Sequence, residues 1–211
     1  MKTVLRVLFA ALLMLCALPL RAQTVHLMLP SGLEGRAAYH AGRPGQGAVL
    51  LHGFLQTGDF STLRQLYDGL AEAGYTVLAP TITLGVPDRK ENLDCGSLHL
   101  NQIDDEAAEV QAWFQWLTRR GAGPVYALGH SYGARLMIIW ASAHPDDRVR
   151  GLLGVSLIGA DPNLARAWTG RLEKAGAQVT VLPAASHFMN GLHQFALLDW
   201  VLARLRDTGR S

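Results

Sequence analysis

Gly129-His130-Ser131-Tyr132-Gly133 sets a serine between two glycines, with an apolar strand pattern over Val125 to Leu128 just before it and a helical pattern from about Ala134 to Ala143 just after. A strand that feeds straight into a helix forces the residue at the junction onto a tight turn. A Cβ on either side would collide with neighbouring backbone, and glycine avoids this. The turn exposes the serine oxygen at the carboxyl edge of a sheet, beside a helix N-terminus that favours negative charge. The chemistry this permits is nucleophilic attack on a carbonyl. A serine that caps an ordinary helix is the competing reading.

A serine hydroxyl attacks only when a base takes its proton, so a histidine must reach Ser131 and an acid must orient that histidine. Eight histidines are available. His26, His40, His99 and His144 stand in no recognisable motif, and Cys95 lies at no strand-helix turn that would make it a nucleophile. Cys95 and His99 are spaced like two metal ligands, but no second Cys or His pair accompanies them, so no metal is expected.

The elements that must position these groups follow from hydrophobic periodicity. Val25, Leu27 and Leu29 alternate with His26 and Met28, Pro30-Ser31-Gly32 punctuates, and a second stretch runs from Leu33 to Tyr39, which together predict an antiparallel edge hairpin. Ala48 to Leu51 is continuously apolar, as a strand buried on both faces is. Leu63, Leu66, Tyr67, Leu70 and Ala71 share one helical face, with Ser61 as the expected N-cap and Gly74 as the stop. Tyr75 to Ala79 predicts the next strand, ended by Pro80.

Ile103, Ala107, Val110, Phe114 and Leu117 predict a helix whose first turn carries Asp104, Asp105 and Glu106 and whose end carries Arg119 and Arg120, both matching the helix dipole. Further strands are expected over Leu152 to Ile158 and Gln178 to Leu182, and helices over Leu164 to Ala175 and Phe195 to Leu205. Strands alternating with helices predict an α/β fold. The expected architecture is a mostly parallel sheet of about seven strands, with the hairpin at one edge and helices on both faces. The long segment 80–102 follows a strand's carboxyl end, where loops often shape binding sites.

With this pentapeptide in this setting, the chain resembles the α/β-hydrolase superfamily over nearly its whole length after residue 22. Leu50-Leu51-His52-Gly53-Phe54 is similar to the family's His-Gly segment, and by position the resemblance makes the amides of Phe54 and Tyr132 the oxyanion donors. Pro183-Ala184-Ala185-Ser186-His187-Phe188 is similar to the family's His-Phe segment, which makes His187 the base, with His193 as the fallback. Asp161, in Gly159-Ala160-Asp161-Pro162, falls between Ser131 and His187 in the family's chain order and is the candidate acid. Asp161 before Pro162 also reads as a helix N-cap. Only 29 residues separate Ser131 from Asp161, fewer than the common family pattern with a further strand and a cap. Asp146, Asp147 and Asp199 sit at places unsuited to the role.

Composition bounds the rest. At 211 residues, 49% hydrophobic and 17% charged, the chain is a folded globular protein of one domain. Lys2, Arg6 and the apolar run from Val7 to Leu20, followed by Ala22, predict a cleaved export signal over residues 1–22, with the single hydrolase domain over 23–211. Removal of Lys2, Arg6 and Arg21 leaves 16 cations against 17 acids, a net charge of −1 where the full chain has +2. Such a balance speaks against nucleic-acid partners, and the mature chain holds no candidate membrane span. Loss of Cys16 leaves Cys95 alone, so no internal disulfide is expected.

The expected protein is therefore an exported, periplasmic or secreted serine esterase acting on a small-molecule or acyl substrate through Ser131, His187 and Asp161, with no cofactor. A non-catalytic binding protein on the same fold, or a peptidase or acyltransferase with the same triad, are the alternatives.

Overall fold

The computed structural model describes residues 22–97, 101–156, 186–189 and 193–208. Asp161, His99, the expected helix 164–175, the expected strand 178–182 and residues 1–21 lie outside them. In chain order the described elements are β1 (Gln23–Met28), β2 (Glu34–His40), β3 (Gly47–Leu51), α1 (Ser61–Glu72), β4 (Thr76–Thr81), α2 (Ile103–Thr118), β5 (Val125–His130), α3 (Tyr132–Ala143), β6 (Val149–Val155) and α4 (His193–Thr208).

The strands form one sheet in the order β1-β2-β4-β3-β5-β6. β1 and β2 are the expected antiparallel hairpin, and β2 also runs antiparallel to β4. From β4 through β3 and β5 to β6 every pairing is parallel. The described sheet thus has six strands against the seven or so expected, and the expected strand 178–182 lies outside the described residues.

Alternation of side chains across a strand divides the core into two layers. Val49, Leu51, Leu78, Val125 and Ala127 face one way and pack with Val110, Trp113, Phe114 and Leu117 of α2 and Leu136, Met137 and Trp140 of α3. Ala48, Leu50, Val77, Ala79, Tyr126 and Leu128 face the other way, against Leu63, Leu66 and Leu70 of α1 and Leu197, Val201 and Leu205 of α4. Helices on both faces are the reason these strands read as unbroken apolar runs.

Two expected boundaries are corrected. Ser61 is the first helical residue of α1 and not its N-cap; Phe60 occupies that position, with no side-chain capping bond. The Phe60 ring packs against His130 and Phe188, with centroids 6.2 and 5.5 Å away. Pro80 does not end β4, which continues to Thr81 with Pro80 opposite Ala37 of β2. The ladder to β3 has already ended at Leu78, so only one neighbouring strand could call on the N–H that proline lacks.

The connection from β3 goes to β4 on one side, and β5 lies on the other side. The connections from β3 and from β5 therefore run toward opposite edges of the sheet, and the crevice at the carboxyl ends of these two strands is where open α/β sheets bind ligands. Register pairs Leu51 with Gly129, so His52-Gly53 and Ser131 emerge side by side at that crevice.

Candidate active site

Ser131 sits at the β5–α3 junction with φ 54° and ψ −120°, a left-handed conformation that non-glycine residues seldom adopt. Two hydrogen bonds hold it there. Its N–H donates to the Val155 carbonyl at 2.8 Å, and its carbonyl accepts from the Ala134 N–H at 3.1 Å. The two flanking glycines let backbone close in: a Cβ on Gly129 would lie 2.4 Å from the Ala134 nitrogen, and one on Gly133 would lie 2.4 Å from the His52 carbonyl oxygen. Although Ser131 occupies the N-cap position of α3, its hydroxyl makes no capping bond. The Oγ instead lies 2.9 Å from Nε2 of His187.

The segment carrying His187 is tied from two directions. His130 Nε2 donates to the His187 carbonyl at 2.9 Å, and Thr62 Oγ1 on α1 donates to the Phe188 carbonyl at 2.5 Å. The His187 ring packs beside the His130 and Phe188 rings, with centroids 5.2 and 5.3 Å away. Because the carbonyl can only accept, His130 carries its proton on Nε2. Burial lowers its pKa and keeps the ring neutral. Its Nδ1 is buried and meets no hydrogen-bond partner among the described residues. Sequence reading assigned His130 no role. The available signal was a histidine at the end of an otherwise apolar strand, which requires a specific acceptor when buried.

Across the crevice, the turn after β3 is built around His52. The Ile82 N–H donates to its Nε2 at 3.0 Å, so its proton is on Nδ1, which donates to the Gly53 carbonyl at 2.8 Å. Burial above all pushes the His52 pKa down to about 3, and the nearby Arg89 charge pushes the same way. The Gly53 N–H donates to Gln56 Oε1 at 3.0 Å, and Leu55 adopts φ 59°.

Phe54, 53% exposed, stands on this turn, and its ring meets the Tyr132 ring edge-on at 5.6 Å. The two residues expected to supply oxyanion donors are therefore neighbours. Tyr132 opens α3, so its N–H is among those that a helix leaves without an intrahelical acceptor. Burial raises the pKa of its hydroxyl, which is hydrogen-bonded to Glu106.

The structure thus brings Ser131, His187, Tyr132 and Phe54 to one crevice, while Asp161 lies outside the described residues. His193 begins α4. Among the described residues one group has metal-ligand spacing, His26, Glu34 and Asp88, on the hairpin side of the sheet. Arg36 and Lys90 already pair with Asp88 there, at 3.6 and 3.1 Å. Cys95 is an exposed free thiol.

The model of the alpha/beta hydrolase fold family matches residues 49–190, which take in the turn after β3, the pentapeptide and the His187 segment. This chain belongs to the α/β-hydrolase family. As an α/β-hydrolase it is similar to the thermostable monoacylglycerol lipase of Bacillus sp. (strain H-257), with 30% identity over 138 residues, 65% of this chain and 51% of that protein. The chain spans about half the length of that curated relative. Among solved structures, a dienelactone hydrolase from Anabaena variabilis superposes with a TM-score of 0.70 at 18% identity, over 86% of this chain and 94% of the other. A serine hydrolase without a lid from Xanthomonas campestris gives a TM-score of 0.63 at 18% identity, over 90% and 96%. At these identities the two structures speak for the hydrolase fold alone.

Proposed function

We propose that this α/β-hydrolase cleaves ester or thioester bonds of an acyl substrate through a covalent acyl-enzyme on Ser131. The observation that carries the reading is the 2.9 Å approach of His187 Nε2 to the Oγ of a serine held at φ 54° on the β5–α3 junction. That distance is within reach for a general base, and the backbone strain aims the hydroxyl at the crevice and away from capping. In the reaction, Oγ attacks the carbonyl carbon as His187 takes the proton. The oxyanion accepts from the Phe54 and Tyr132 amides, and collapse expels the alcohol or thiol, which His187 protonates. Water then repeats the sequence to free the acid. Asp161 is the proposed acid that orients His187.

Phe54 and Phe188, 53% and 45% exposed, stand beside Tyr132 and His187 and offer apolar surface to an acyl chain. The relative's name, a monoacylglycerol lipase, agrees with an apolar acyl ester. The charged start and apolar run of residues 1–22 support export to the periplasm or the medium.

Steady-state and burst kinetics on p-nitrophenyl esters test the proposal. The wild type is expected to release free acid with a burst of p-nitrophenol. Ser131→Ala and His187→Ala are each expected to lower kcat by about 10⁴-fold or more. Hydrolysis that survives Ser131→Ala would sink the reading.

A further inference from the structure

Arg89, on the long segment between β4 and α2, is 3% exposed, and among the described residues no carboxylate lies within ion-pair distance of it. A buried cation without a direct counter-ion must find compensation elsewhere, and here it is backbone carbonyls, with the Glu109 and Glu106 carboxylates favouring its charge from beyond contact. Nε donates to the Ile82 carbonyl at 2.9 Å, and Nη1 to those of Glu91 at 2.8 Å and Leu55 at 3.4 Å. Nη2 donates to the Gln56 carbonyl at 2.6 Å and lies 3.4 Å from His52 Nε2. Leu55 and Gln56 belong to the turn after β3, while Ile82 and Glu91 belong to the long segment. One planar fork therefore joins the two. A lysine, a single point of charge, could not reach all four carbonyls.

The same turn fixes the direction of the Phe54 amide. In a trans peptide the carbonyl of residue i and the N–H of residue i+1 point opposite ways. The Gly53 carbonyl accepts from His52 Nδ1 at 2.8 Å and from the Gln56 N–H at 3.2 Å, so the Phe54 N–H is turned away from His52. Arg89 anchors the far end of this arrangement at Leu55 and Gln56. It also holds Ile82, whose N–H fixes His52, and its charge next to Nε2 adds to the burial that keeps His52 neutral.

We propose that Arg89 is a positioning residue that locks the turn 53–56 in the shape presenting the Phe54 amide to the substrate's carbonyl oxygen. The proposal rests on the serine-hydrolase reading above. Its effect is specific to the transition state, because the amide meets full negative charge only there.

The test compares wild type, Arg89→Lys and Arg89→Met by p-nitrophenyl butyrate kinetics, by the affinity of an alkylboronic acid as a tetrahedral mimic, and by thermal unfolding. Folded variants are expected to lose about 10- to 100-fold in kcat with KM within about twofold, and to bind the boronate more weakly by a matching factor, since loss of one oxyanion donor costs about 10²–10³. Millimolar guanidinium is expected to restore part of the Arg89→Met activity and none of the wild type's, which is already saturated.

Folded variants with wild-type kcat and boronate affinity would overturn the proposal. Variants whose activity falls only in step with their unfolded fraction would also overturn it, assigning Arg89 to fold stability alone. Wild-type protein that neither hydrolyses the ester nor binds the boronate would instead remove the serine-hydrolase reading on which the proposal stands.

Discussion

Ser131 differs from a helix-capping serine in two respects that its own backbone and hydroxyl display: a φ of 54° and an Oγ directed to His187. Both depend on neighbours without side chains. Gly133 lets the start of α3 close on the carbonyls of Leu51 and His52, the residues that lead into the oxyanion turn. Gly133→Ala would place a Cβ 2.4 Å from the His52 oxygen, against backbone that has no flexible end to move aside. This substitution is expected to cost about 3 kcal/mol by overpacking and to lower kcat more than KM, because whatever relieves the clash moves the turn. Urea unfolding and steady-state kinetics on one preparation check both; an unchanged midpoint with unchanged kcat would contradict the account. The pentapeptide was fully legible in sequence because glycine on both sides of a serine has a steric cause. His130 was not, since a histidine inside that motif looks the same whether it faces solvent or holds the His187 carbonyl at 2.9 Å.

At the level of elements, periodicity located β3, β5, α2 and α3 because burial on both faces of the sheet writes itself as unbroken apolar runs. It misplaced the start of α1 by one residue, since Phe60 and not Ser61 holds the cap position. Periodicity placed Glu106 in the first turn of α2, where the helix dipole favours it, but carried no sign that Glu106 and Glu109 are buried, at 6% and 5% exposure. Both Glu109 oxygens accept from Thr83, after β4, yet burial pushes its pKa from the ordinary 4.5 up to about 7.

A raised carboxyl pKa adds stability that is complete below 4.5 and is lost as pH rises to 7. His52, lowered from 6.5 to about 3, does the reverse: its contribution is complete above 6.5 and is lost on acidification. Between 4.5 and 6.5 the two oppose each other, so Glu109 offsets in the wild type a loss on acidification to which the lowered pKa values of His130 and His40 also add. Glu109→Gln removes that offset and is expected to lose about 2 kcal/mol more than the wild type between pH 6.5 and 5, at 1.36 kcal/mol per pH unit. Urea midpoints across that range decide it; a Glu109→Gln profile parallel to the wild type's would contradict the assignment.

At the scale of the whole molecule, the order β1-β2-β4-β3-β5-β6 sends the connections from β3 and β5 to opposite edges of the described sheet, and the family match over 49–190 contains the turn after β3, the pentapeptide and the His187 segment that meet there. No helix among the described residues is long and apolar enough to cross a membrane. The hairpin, the parallel run and the two helical layers were foreseeable because each follows from local pattern. The approach of His187, 56 residues from Ser131 in sequence, was foreseeable only through family resemblance, since no periodicity specifies it. The most direct test of the central claim is fluorophosphonate labelling of the folded protein with peptide mass spectrometry, beside a His187→Ala control. The account predicts one adduct, on Ser131, formed at least about 100-fold more slowly without His187. No adduct on folded protein, or an adduct elsewhere that is indifferent to His187, would contradict it.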